Sequence, residues 1–139
     1  SGMVRDPRGF SVSVVFLALV PSGALPDLPE DVGLYPVKGH PATAFDHAGI
    51  IDAAFRRIRG KGGYSTLPAM FLGETFTLPE LQEAYGVVTG MPIDESSFRR
   101  KITAIGLIED TGEMKRDTRR PSKLWRLAPG IATFDRPIA

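Results

Sequence analysis

The sequence predicts an α+β fold whose second half is a winged helix-turn-helix. Three observations carry this expectation: two amphipathic helical repeats flank a Gly/Pro turn over residues 77–106, the second repeat has a basic outer face, and residues 107–127 read as an Arg/Lys-rich hairpin. Helices and strands segregated in this way, rather than alternating, indicate α+β instead of a doubly wound sheet.

In chain order, the first element is an apolar run over residues 10–20. It has about half the length a helix needs to cross a bilayer and lacks the layout of a secretory signal, so no membrane partner is expected. Ser11 and Ser13 alternate with Phe10, Val12 and Val14, and residues 15–20 are continuously apolar, a pattern that predicts a β-strand covered on both faces at one end. Residues 21–41, rich in Pro, Gly and acidic side chains, read as a long loop with a short strand at residues 33–37. Asp46 is the expected N-cap of a helix with Ile51, Ala54, Phe55 and Ile58 on its inner face. Arg56, Arg57 and Arg59 complement the dipole near its end, which is expected at Gly60. Residues 60–63 then serve as a linker, dividing the chain into residues 1–63 and 64–139, and residues 64–72 open the second part as a further helix.

The second part carries stronger signals. Thr77-Leu78-Pro79-Glu80 has the form of a capping box, with Pro tolerated in the first turn; Leu78, Leu81, Tyr85 and Val88 recur at helical spacing until Gly90 and Pro92 stop the helix. Asp94 is the N-cap of the next helix, whose apolar stripe is Phe98, Ile102 and Ile105 and whose break is Gly106. Leu107-Ile108 and Leu124-Trp125-Arg126-Leu127 read as short strands around Gly112 and a polar loop, the wing.

With 17 basic and 16 acidic residues the net charge is only +1, but its distribution is uneven. Residues 99–126 hold nine of the basic residues and four acidic ones, whereas residues 1–90 hold seven and nine. A local basic surplus is what a nucleic-acid footprint requires. On the outer face of the second helix stand Ser96, Arg100 and Thr103, flanked by Ser97 and Arg99, with Lys101 nearer the buried edge. Arginines and small hydroxyls there suit a major groove, where Arg grips guanine O6/N7 and Ser reaches phosphate or base edges. In the wing, Lys115, Arg116, Arg119, Arg120 and Lys123 are placed to track phosphates or enter a narrow minor groove. Double-stranded DNA is the expected partner.

Other chemistries find little support. The absence of Cys excludes disulfides and thiol chemistry and fits a cytoplasmic location. Gly60-Lys61-Gly62-Gly63 lacks the spacing of a phosphate-binding loop, and no metal-ligand spacing is present, so neither a cofactor nor a metal is expected. His47, next to Asp46, is the one candidate for a nucleotide contact, against a plain first-turn role on its helix.

Residues 1–63 offer too little apolar surface for an independent core. Arg5-Asp6-Pro7-Arg8-Gly9, the strand after it, Ala44-Phe45-Asp46-His47-Ala48 with Ile50, and Arg57-Ile58-Arg59-Gly60-Lys61 resemble the back part of a Nudix domain. The remainder, through Phe76-Thr77-Leu78, Glu80-Leu81-Gln82, Phe98-Arg99-Arg100-Lys101-Ile102, Arg120-Pro121 and Leu124-Trp125-Arg126, resembles the C-terminal winged helix of Nudix-related transcriptional regulators of NAD metabolism. The resemblance implies a winged helix preceded by an incomplete Nudix-like α/β segment, and a homodimeric regulator, with repression the expected sense. It also implies that a complete Nudix domain senses an ADP-ribose-like effector. Related proteins of this architecture hydrolyse such compounds, so the alternative is a C-terminal fragment of a Nudix hydrolase with the winged helix as an accessory or dimerisation domain.

Nudix catalysis needs the pattern GX5EX7REUXEEXGU, whose glutamates hold Mg²⁺ against a pyrophosphate. Residues 79–87 imitate its second half, yet Pro79 stands where Arg is required and Ala84 where the second paired Glu is required; upstream, Phe71 and Ser65 occupy the Glu and Gly positions. No catalytic residue is therefore expected, and this segment reads as the scaffold helix of a DNA-binding domain.

Overall fold

The computed structural model describes residues 12–116 and 121–138. In chain order it contains a 3-10 turn, Ser22–Ala24; helix α1, His47–Gly62; a 3-10 helix, Leu67–Phe71; helix α2, Leu78–Thr89; helix α3, Glu95–Ile105; and strands β1, Ile108–Lys115, and β2, Ser122–Leu127. The chain divides into two compact units, one of residues 1–18 and 26–57 and one of residues 19–25 and 58–139.

In the first unit α1 begins after Asp46, whose carbonyl accepts the first helical bond from the Ile50 amide at 3.2 Å, as an N-cap residue does. Among the described residues the expected strand at residues 10–20 is absent, as is the short strand at 33–37; Phe10 and Ser11 lie outside the described residues. Residues 12–18 are exposed along their length, Phe16 by 89 %. The physical reason is that alternation prepares a segment for a sheet without supplying a strand to pair with, and an unpaired strand leaves its backbone groups unsatisfied.

The second unit holds the core: Ala69, Phe76, Leu81, Tyr85, Phe98, Ile102, Leu107 and Ile138. Its helices are bounded as the residue types require. The Thr77 hydroxyl accepts from the Glu80 amide, and the Glu80 carboxylate accepts from the Thr77 amide at 2.7 Å, completing the capping box of α2. Gly90 ends α2 at φ 71°, with its amide bonded to the Gly86 carbonyl. Asp94 caps α3 by accepting from the Ser97 amide at 2.8 Å. At the far end Gly106, φ 68°, donates to the Thr103 carbonyl and Leu107 to that of Ile102, the paired bonds of a Schellman motif, with buried Leu107 and Ile102 supplying its apolar contact. Tyr85 and Phe98 pack across the two helices with ring centroids 5.6 Å apart, and the Tyr85 hydroxyl donates to the Ser65 carbonyl at 2.8 Å.

Three features differ from expectation. α1 runs through Gly60 and ends at Gly62, because Ile58 and Arg59 continue its half-buried face. The helix expected over residues 64–72 is only the 3-10 helix Leu67–Phe71, since Ser65 forms a β-bridge with Thr133 and Pro68 stands in its first turn. The wing strands are longer than their apolar residues indicated: β1 and β2 pair antiparallel from Ile108–Leu127 to Lys115–Ser122, with an irregularity between Asp110 and Met114. Gly112, at φ 76°, lies in that irregularity inside β1 instead of in the loop.

Residues 131–138 close the unit. Their backbone bonds to residues 63–66 run Thr66 to Ala132, Phe134 to Tyr64 and Ile138 to Gly63, at 2.9–3.1 Å.

Candidate nucleic-acid interface

The buried Phe98 and Ile102 orient α3 and turn the opposite side outward. Ser96, Arg99, Arg100 and Thr103 are exposed there and Ser97 is half-buried. The Ser96 hydroxyl donates to Asp94 Oδ1 at 2.7 Å, so in this state it belongs to the N-cap cluster. The Ser96 and Ser97 bonds hold the Asp94 carboxyl below its ordinary range, which keeps the cap anionic. Lys101 points the other way: its Nζ donates to the Ile138 carbonyl at 3.1 Å, tying α3 to residues 131–138. The sequence signal for that role was only its position near the buried edge.

The turn between the helices is held by Gln82, whose Nε2 donates to the Ile93 carbonyl at 2.8 Å, and by the Thr89 hydroxyl, which accepts from the Met91 amide at 3.4 Å. α2 is also fixed from behind. Arg59 Nε donates to the Thr89 carbonyl at 3.2 Å, meeting the negative end of the helix.

The wing cations are spread over strands and loop. Arg116 is exposed just after β1, while Arg119 and Arg120 lie outside the described residues. Lys123 belongs to β2, where it pairs with Asp110 at 2.7 Å and sits 5.9 Å from the Trp125 ring centroid. That bond and the Gly112 amide lower the Asp110 carboxyl. Lys115 belongs to β1 and meets Glu80 at 2.7 Å, in place of the loop position expected for it. Arg126 pairs with Glu109 at 3.0 Å. The base of the wing is joined to the segment before α2 by reciprocal Phe76–Trp125 backbone bonds of 2.8 and 2.9 Å. The three elements thus form one framework: α2 as scaffold, α3 presenting two arginines, and a basic ribbon anchored to the start of α2.

Residues 68–127 match the family model described as the NrtR DNA-binding winged helix domain. This region is an NrtR-type winged helix. The likeness extends beyond it: the chain is 35 % identical over 139 residues to a curated protein of Acinetobacter baylyi named ADPR responsive transcriptional repressor NtrR, covering 96 % of this chain and 55 % of that protein. The chain therefore spans about half the length of this relative. Among solved structures, Shewanella oneidensis NrtR matches with a TM-score of 0.78 and 37 % identity over 98 % of this chain and 65 % of the other. The same protein complexed with a 27mer DNA matches with a TM-score of 0.62 and 39 % identity over 73 % of this chain and 47 % of the other.

His47 is the exposed first residue of α1, with its ring 6.2 Å from that of Phe45 in an edge arrangement. Among the described residues, no group of His, Asp or Glu has the arrangement of a metal cage, and no helix is long and apolar enough to cross a membrane.

Proposed function

We propose that this chain is the DNA-reading part of an NrtR-type transcriptional repressor of NAD or nucleotide-sugar metabolism, responsive to ADP-ribose when its Nudix domain is complete. The observation that carries the reading is the exposed Arg99, Arg100 and Thr103 face of α3, beside a basic wing within an NrtR-type DNA-binding domain. The A. baylyi relative's name, which joins repression to an ADP-ribose response, supports the effector class. α3 enters the major groove with Ser96, Ser97, Arg99, Arg100 and Thr103, while Arg116, Arg119, Arg120 and Lys123 meet the phosphates around the wing. Two copies bind a palindromic operator in the cytoplasm, with residues 1–63 belonging to the effector domain and residues 64–139 to the reader.

The chain itself is not catalytic in this reading. Of the two α2 glutamates that fall on acidic positions of the Nudix pattern, Glu80 and Glu83, Glu80 is occupied by the capping box and by Lys115. Such a carboxylate serves the helix start rather than a metal.

Fluorescence anisotropy tests the reading, using labelled duplex from upstream of the chain's own gene and of NAD-synthesis genes against scrambled duplex across a salt series. Preference for the upstream DNA with affinity falling steeply as salt rises is the expected result. No binding at low salt would overturn it.

A further inference from the structure

The carboxylate of Glu80 uses both oxygens. Oε2 accepts from the Thr77 amide at 2.7 Å and from its hydroxyl at 2.9 Å, while Oε1 accepts from Lys115 Nζ at 2.7 Å, across 35 residues of sequence. One oxygen thus serves the start of α2 and the other the end of β1. Lys115 is the last residue of β1 and pairs with Ser122, the first of β2, at the end of the ladder. The other end of the ribbon is held by the Phe76–Trp125 bonds.

A two-stranded ribbon is marginal by itself and gains its orientation from what it is fastened to. One anchor at the base leaves the outer end free to swing; a second anchor removes that freedom. Both ionic partners are roughly one-third exposed, 31 % for Lys115 and 37 % for Glu80, so the pair is partly shielded from solvent.

We propose that Glu80 and Lys115 are a positioning pair: their ion pair fastens the outer end of the wing to the start of α2 and thereby sets where the wing cations stand relative to α3. Lys115 remains on Glu80 when DNA is bound and makes no phosphate contact. The proposal rests on the DNA-binding reading above and assigns within it a role that the sequence did not indicate for either residue.

The competing arrangement, in which Lys115 leaves Glu80 for a phosphate, predicts an effect of opposite sign for Glu80→Gln and a different salt dependence for Lys115→Met. Glu80→Gln retains a residue that completes a capping box while removing the charge. If the pair positions the wing, Glu80→Gln and Lys115→Met each weaken duplex binding by about three- to tenfold, and the double variant is no weaker than the worse single. The slope of log affinity against log salt then stays at the unsubstituted value. If Lys115 grips a phosphate, Glu80→Gln tightens binding and Lys115→Met lowers the slope by about one, and either result overturns the proposal.

Amide hydrogen exchange without DNA supplies the independent arm. Exchange in residues 108–115 and 122–127 should accelerate in each single variant while α3 keeps its protection. Unchanged wing exchange overturns the pair as an anchor. Should the unsubstituted chain bind no duplex, the DNA-binding reading fails, and the exchange arm still decides whether this pair holds the wing.

Discussion

Arg99 and Arg100 share an exposed face with Thr103, but their neighbours differ in what they are free to do. Ser96 already donates to the Asp94 cap and Lys101 to the Ile138 carbonyl, which leaves the arginines as the long donors directed to solvent from this helix. Arg100→Ala is expected to cost about 1–3 kcal/mol of DNA affinity and to relax sequence preference at one base position if it reads guanine. Anisotropy against a panel of single-base operator variants measures both; an equal loss on every duplex would make Arg100 a phosphate contact. Glu80 gives a pH signature. Burial raises its carboxyl, but the Lys115 and Thr77 bonds together outweigh burial and leave it below the ordinary 4.5. Its contribution to stability is therefore fully present above that value and is lost as pH falls through the lower folded value. Urea melts across this acid range should show a shallower loss of stability in Glu80→Gln than in the unsubstituted chain, and parallel curves would mean that the carboxylate gains nothing on folding.

At the scale of elements, the helices of the second unit were legible because their signals are local. Thr77 and Glu80 are three residues apart, and Asp94 and Gly106 act on the turns they adjoin. The wing was less legible, since strand length depends on pairing across the ribbon. Lys115 and Lys123 look like loop cations from their charge, yet register places them opposite Ser122 and Met114. The Lys115–Glu80 and Lys101–Ile138 contacts, 35 and 37 residues apart, leave no mark in local periodicity. The end of α1 is hard to read from sequence for a related reason. Gly60 has the composition of a helix stop, but its helix continues to Gly62, where a Cβ would strike Val88 Cγ1 on α2; a Cβ at Gly60 would meet nothing within 4 Å. The two glycines should therefore respond oppositely. Gly60→Ala is expected to stabilise by about 0.5–1 kcal/mol through helix propensity, and Gly62→Ala to destabilise by about 1–3 kcal/mol through overpacking. Equal shifts in denaturant midpoint would show that α1 does not pack on α2 at its last turn.

Across the whole molecule, the segment before α1 and the one that follows α1 differ in how their backbone groups are satisfied. The second has helices, a paired ribbon and the 63–66 to 131–138 bonds around one core. Before α1, the described backbone bonds are local turns, Ala24 to Pro21, Val32 to Pro29 and His47 to Ala44. Residues 12–20 nevertheless carry the side-chain pattern of a strand, with Val12, Val14 and Phe16 exposed by 76 %, 77 % and 89 %. The pattern was legible and the pairing was not, because alternation encodes which faces a strand covers and says nothing about which strand lies beside it. Local stability should follow this division, since an amide is protected only when breaking its bond requires cooperative opening. Amides of residues 12–20 are expected to exchange at nearly unstructured rates, while Phe76, Leu107, Trp125 and Ile138 exchange only through global unfolding of their unit. Mass-resolved exchange at two protein concentrations measures this. Slow exchange over residues 12–20 would contradict it and would mean that the run has acquired a strand partner; slowing only at the higher concentration would identify that partner as a second copy of the chain, pairing along an exposed apolar edge.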